Sequence, residues 1–583
     1  MFISCWLSSI KKEPTIKQKK LKEMKYIFTM LCLFLAISAT SFAQKKNTAD
    51  SIYHIQKNVL IPTKSGVDIS AIIAHKKVNT QAMPVILFYT TYHQGEGDAI
   101  FARRSADRDY VGVVAYARGI RTDVENYMPY ENEQSDIYDI IDWISKQDWC
   151  NGEVGMYGGS YTGFSQWATV KKIHPALKTI VPQVAVMPGF DFPMQNNVQL
   201  GFELNWSHTN ILGKEPIPAS LLWEWYERGY AYSKIDSALG YTNPHFQKWL
   251  QHLAYDEYWK SLVPTAEEYA KIDIPVLTTT GYFDGPQISA VEYFKLHNKY
   301  HPKAKHYLVI GPYDHWGGQA NPSSNLRGYE IDSVANISMR KLAYEWLDWI
   351  LKDAPKPELL KDKVNFQLMG TNTWRHEPSL QAMSNQSLRM YLHNNNLAKE
   401  VSKKPVFQQQ TINFTNRESM NNYFHPTLII DSLDASNGIV YASETFEKAF
   451  SINGPFTGQL VLETNKRDMD ISISFYEQTE DKNYFLLSRY LGRASYAKDN
   501  SQRQLLTPGK KEQIPLNASH IISKEIKKGS RLVIVVNVNK HPFEIINYGS
   551  GKEPSEEIIT DAGAPMIIKW FSDSYIEIPV WEN

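Results

Sequence analysis

Three short stretches carry residue types that together could break an acyl bond. GGSYTG at 158–163 places Ser160 after two glycines, TTTGYFDG at 278–285 carries Asp284, and LVIGPYDHWG at 308–317 carries His315. A serine hydroxyl is a weak nucleophile until a base takes its proton, and the base in turn needs a carboxylate to orient it. Serine, acid and histidine in that chain order is the order used by nucleophile-elbow hydrolases. Asp314, beside His315, is a rival acid, but adjacent side chains seldom face each other well, so Asp284 is preferred. Each residue also has a plainer role open to it. Ser160 could be a helix N-cap, Asp284 a cap for the next helix, and His315 a solvated loop residue.

The elements around these residues must hold them together. GEVGMYG (152–158) reads as a strand and SYTGFSQWATVKKI as the helix after it, so Ser160 falls on a sharp strand-to-helix turn. The glycines suit that turn, although Thr162 stands where the G-x-S-x-G pattern has its second glycine and Gly163 comes one residue late. PVILFY (84–89), YVGVVAY (110–116), LKTIVPQVAV, IPVLTTTG (274–281) and HYLVIG (306–311) are apolar runs suited to buried parallel strands. Segments near 59 and 71 read as an early hairpin. ENEQSDIYDIIDWISKQ (131–147) has helical spacing, with Ile137, Ile140, Ile141 and Ile144 on one side. Strand and helix alternating in this way implies an α/β fold, a mostly parallel sheet with helices on both faces. Asp284 and His315 then fall in loops at the carboxyl ends of two successive strands.

Residues 190–270 interrupt the rhythm with Trp- and Tyr-rich helical pieces, as an inserted cap over the strand ends would. The hydrolase-like part is expected over 52–189 and 271–353, with 354–363 as a linker. From 364 the pattern is β only, beginning with VNFQLMG, and many short strands read as a sandwich or jelly roll over 364–583.

A developing oxyanion needs donors. The backbone N–H of Tyr161, next after the nucleophile, is one. The loop TTYHQGEG after PVILFY should supply the other; the Tyr92 hydroxyl and His93 compete for that role.

Composition narrows the remaining choices. The chain has 583 residues, 62 Lys+Arg against 62 Asp+Glu, 43% hydrophobic and 21% charged residues, a globular balance with no basic surplus for nucleic acid. The basic KKEPTIKQKKLKEMK, the 13-residue apolar run YIFTMLCLFLAIS and ATSFAQ read as a signal peptide over 1–43, cleaved after Ala43, with Met24 as an alternative start. The run is too short for a membrane span, and Cys32 lies within it rather than at its end, so no stable membrane anchor is expected. Cys5 and Cys32 would leave with the signal, and Cys150 would remain as a single thiol. No Cys/His cluster has zinc spacing, and the chemistry calls for no metal or organic cofactor.

GGSYTG, GYFD and GPYDHWG, with PVILFYTTY upstream, resemble the cocaine-esterase, α-amino-acid ester hydrolase and X-Pro dipeptidyl-peptidase family of serine hydrolases, whose elbow commonly reads GxSYxG. KVNFQLMGTNTWRHEPSL and GRASYAKD resemble stretches of that family's jelly-roll domain. The resemblance implies an α/β-hydrolase fold with an inserted helical cap and a C-terminal all-β jelly roll. It implies a triad of Ser160, Asp284 and His315, and it gives the second oxyanion donor to Tyr92. The family's DxRG is here YARG, with Tyr116 in the acid's place. α-Amino-acid ester hydrolases hold the substrate ammonium on carboxylates; Asp191 in MPGFDFPM and Glu203 are candidates, each with a solvated cap residue as the plainer reading.

The expectation is an exported serine hydrolase, periplasmic or secreted, that cleaves small ester or amide substrates through an acyl-enzyme. An X-Pro dipeptidyl-peptidase and an acyltransferase are the alternatives within catalysis. A non-catalytic glycan-binding protein is the alternative outside it. Family members can form oligomers, so a homo-oligomer is open.

Overall fold

The computed structural model of the chain describes residues 52–121, 127–404, 406–421, 426–517 and 519–582. The proposed signal peptide lies outside these residues. Among them, no helix is long and apolar enough to cross a membrane.

A ten-stranded sheet forms the first layer. In spatial order its strands are Tyr53–Pro62, Asp68–Lys76, Val111–Tyr116, Met83–Thr90, Cys150–Gly159, Leu177–Gln183, Val276–Gly281, His306–Gly311, Val364–Leu368 and Thr373–Glu377. The first two form the expected hairpin, and Asp68–Lys76 pairs antiparallel with Val111–Tyr116. The strands from Val111–Tyr116 through Val364–Leu368 run parallel. Their residues are buried almost throughout, because helices cover both faces. Helix Glu133–Ser145 turns its four isoleucines inward.

One expectation is corrected here. The β-only pattern makes Val364–Leu368 the first strand of the C-terminal part, but it pairs parallel with His306–Gly311, and Thr373–Glu377 closes the sheet beside it. All five residues of Val364–Leu368 are buried, as a parallel strand covered on both faces requires. Nothing local in the sequence specifies which sheet such a run will join.

Between Leu177–Gln183 and Val276–Gly281 lie short helical segments, among them Phe202–Trp206, Ala219–Arg228, Pro244–Trp249 and Glu257–Leu262. They are fastened to the sheet domain by side chains. His245 Nε2 meets the Tyr127 carbonyl at 2.8 Å, and Tyr258 Oη donates to Glu131 at 2.8 Å.

The C-terminal strands make a second, 14-stranded β assembly whose apolar core also takes in Tyr282, Phe294, Leu308, Ile310 and Phe366 of the sheet domain. It grips the first domain at the Asp284 loop. The Gln287 amide acts there as a strand residue would: its Nε2 donates to the Ile521 carbonyl at 2.8 Å and its Oε1 accepts the Ile521 N–H at 2.6 Å. Met369 adds a main-chain bridge beside Lys524. An α/β-hydrolase domain followed by a β-rich domain is thus the architecture.

Candidate active site

Ser160 sits between strand Cys150–Gly159 and helix Tyr161–Thr169 with φ +63° and ψ −124°. That region is strained for any residue with a Cβ, by about 1–3 kcal/mol. The strain is held from three sides: the Ser160 N–H donates to the Gln183 carbonyl at 3.1 Å, and the Ser160 carbonyl accepts from Gly163 and Phe164 at 2.9 and 3.0 Å. The displaced glycine has a steric explanation. A Cβ on Gly163 would lie 2.8 Å from the Gln183 carbonyl oxygen, so the glycine is needed where the helix crosses the next strand. A Cβ on Gly158 would lie 2.2 Å from Thr162 Cγ2, so Gly158 makes room for the threonine.

His315 Nδ1 and Asp284 Oδ1 are 2.8 Å apart. Asp284 is fully buried, and its second oxygen accepts the Thr280 hydroxyl at 2.8 Å. Burial disfavours the His315 imidazolium, but the Asp284 charge and hydrogen bond outweigh it, and the pKa lies above the ordinary histidine value. Asp314 does not compete: its carboxylate accepts the N–H groups of Trp316 and Gly317 at 3.1 and 2.7 Å, capping its own turn. The His315 loop packs directly against the elbow. Gln319 donates to the His315 carbonyl at 2.8 Å, and a Cβ on Gly159 would lie 2.2 Å from Gln319 Oε1.

The Tyr92 hydroxyl donates to Ser160 Oγ at 3.3 Å. The Tyr161 backbone and the Trp206 side chain lie near that hydroxyl and favour its ionised form, but burial outweighs them. Burial pushes the Tyr92 phenol above its usual pKa, so it stays protonated as a donor. His93 is engaged elsewhere, its Nδ1 3.0 Å from Asp98. Tyr116, which stands where the resemblance expects an acid, donates to the same Asp98 at 2.7 Å and so supports the loop after Tyr92.

Trp206, Tyr130, Phe192 and Trp249 build an aromatic wall beside Tyr161. Tyr130 stacks on Trp206 at 5.8 Å and lies 5.3 Å from Tyr161. Sequence reasoning does not single out Trp206, because its contact with Tyr92 spans the cap and leaves no local spacing signal. It misses Glu133 too, although this residue shares the helix face of Ile137 and Ile140, and an acid on an apolar stripe is a signal. The Glu133 carboxylate accepts the Tyr161 hydroxyl, and burial raises its pKa to about 7.

Asp191 is 6% exposed. One of its oxygens accepts the Met187 N–H at 2.8 Å; the other makes no hydrogen bond among the described residues, although the Ser289 hydroxyl lies near enough to favour its charge. Burial raises its pKa to about 7, and its charge acts on both Asp284 and His315. Glu203 is fully buried with neither oxygen partnered among the described residues, and burial raises its pKa well above the carboxylate range. Neither acid is a solvated cap residue.

Residues 65–317 match the X-Pro dipeptidyl-peptidase (S15) family, and residues 360–563 match the X-Pro dipeptidyl-peptidase C-terminal non-catalytic domain. The chain is 22% identical over 571 residues to the cocaine esterase of a Rhodococcus species, covering 88% of this chain and 96% of that protein. Two solved structures share the fold, each 19% identical and covering 91% of this chain and 96% of the other. They are an aminopeptidase from a marine sediment Thaumarchaeota archaeon, TM-score 0.78, and an α-amino-acid ester hydrolase, TM-score 0.73. The two family matches together span most of the chain, and the elbow and the histidine–aspartate pair fall within the first. The chain is thus a serine hydrolase of the X-Pro dipeptidyl-peptidase (S15) and cocaine-esterase type, acting on esters or peptides.

Proposed function

We propose that the chain is an exported hydrolase that cleaves carboxylic esters or amides through an acyl-enzyme on Ser160. The observation that carries this reading is the strained Ser160 turn, with the Tyr92 hydroxyl at 3.3 Å and the His315–Asp284 pair in the loop packed against it. Ser160 Oγ attacks the carbonyl carbon and its proton passes to His315. Asp284 orients the imidazole and stabilises its cation. The carbonyl oxygen becomes negative between the Tyr161 N–H and the Tyr92 hydroxyl. Collapse expels the alcohol or amine, which leaves with the proton from His315. Water, deprotonated by His315, then attacks the acyl-enzyme and releases the acid.

Asp191 favours substrates with an amine near the scissile bond. A buried carboxylate with one unpartnered oxygen, close enough for its charge to act on the histidine–aspartate pair, suits an ammonium group. Glu203 is the second candidate.

Release of p-nitrophenol from p-nitrophenyl acetate and from an α-amino-acid p-nitrophenyl ester tests the reading. Ser160→Ala is expected to lower kcat at least about 10³-fold on whichever ester is used. A preference for the amino ester that Asp191→Asn removes supports the amine site. Turnover that survives Ser160→Ala sinks the acyl-enzyme, and no turnover on either ester or on an α-amino-acid p-nitroanilide does the same.

A further inference from the structure

Glu133 is a deeply buried acid beside the elbow for which the proposed reaction has no task. It opens helix Glu133–Ser145 and is fully buried. Three donors converge on its carboxylate: the Tyr161 hydroxyl and the N–H groups of Tyr130 and Asn132 at 3.1 and 3.0 Å, with the Tyr127 hydroxyl beside them at 3.3 Å. The two hydroxyls also meet each other at 2.7 Å. Burying an acid is costly, and an apolar residue would fill the space without that cost. What a fully partnered buried network gives instead is fixed geometry.

The geometry it fixes is that of Tyr161. This residue follows the nucleophile, and its backbone lies near the Tyr92 hydroxyl. Its ring packs edge-on against the Tyr92 ring, with centroids 6.5 Å apart at 77°. A change in the seat of Tyr161 therefore moves both proposed oxyanion donors. We propose that Glu133 is a positioning residue for the oxyanion site: by gripping the Tyr161 hydroxyl, it aims the Tyr161 N–H, and through the ring contact the Tyr92 hydroxyl, at the oxygen that becomes negative. This rests on the serine-hydrolase reading above. Preorganised donors lose much of their effect when misplaced by a fraction of an ångström.

The test compares wild type, Glu133→Gln, Tyr161→Phe and the double variant on p-nitrophenyl acetate, with melting curves for each. It adds the Ki of phenylboronic acid, whose tetrahedral adduct on a serine mimics the charged intermediate. Each single variant is expected to lower kcat about 10–100-fold with KM within about threefold. The boronate Ki should rise by a similar factor. The double variant should be no worse than the worse single one, because both cut the same link. Should Glu133→Gln fail to fold, Tyr161→Phe, which deletes only the hydroxyl, carries the comparison. Single variants with kcat near wild type overturn the proposal. So do losses that multiply in the double variant, or a loss of kcat that leaves the boronate Ki unchanged. A wild type with no Ser160-dependent turnover and no boronate affinity removes the hydrolase reading and this proposal with it, whereas an active wild type and an indifferent Glu133→Gln remove this proposal alone.

Discussion

At the scale of single residues, charge state decides what the candidate site can hold. Asp191 ionises in the fold only near pH 7, because burial favours its neutral form. The unfolded chain loses that proton near pH 4, so this residue makes stability fall as pH rises from about 4 to about 7. Asp191→Asn is therefore expected to gain urea resistance over wild type as pH rises, with the difference level above pH 7 and gone near pH 4. The same ionisation prepares an ammonium partner. KM for an α-amino-acid ester should fall as pH climbs through about 7, until the substrate amine itself deprotonates, while KM for p-nitrophenyl acetate stays flat. An Asp191→Asn enzyme that keeps the pH-dependent KM would remove Asp191 from amine binding.

At the scale of elements, the elbow depends on how closely its helix approaches the neighbouring strand. Gly163→Ala would set a methyl 2.8 Å from the Gln183 carbonyl oxygen, and backbone cannot yield there without moving Ser160, whose N–H donates to that same carbonyl. The expected result is a loss of about 1–3 kcal/mol in denaturant midpoints, with a larger proportional fall in kcat than in KM. Wild-type kcat in a folded Gly163→Ala would show that the close approach does not matter. The placing of Ser160, Asp284 and His315 is legible in the sequence because each lies where a short apolar run meets a turn, and strand-end loops of one parallel sheet converge. The sheet membership of Val364–Leu368 is not legible, because an all-apolar run carries no mark of its partner. The contact of Trp206 with Tyr92 and the grip of Glu133 on Tyr161 are hidden for a related reason: both join residues far apart in sequence, and only the fold brings them together.

At the scale of the whole molecule, the β-rich domain is part of the hydrolase scaffold. Gln287 is fully buried and begins the helix after Asp284, and its amide satisfies both main-chain groups of Ile521. Gln287→Ala would strand those two groups, at a cost of about 2–5 kcal/mol. Both domains are then expected to melt together at a lower temperature, with activity lost alongside; calorimetry resolving two independent transitions in wild type would contradict this coupling. The clasp also orders events in time. Synthesis delivers the Ser160 elbow well before the segment around Ile521, so the turn bearing Asp284 has no brace until the β-rich domain has been made. Competence for chemistry is in that sense withheld from a nascent chain until its β-rich part has folded.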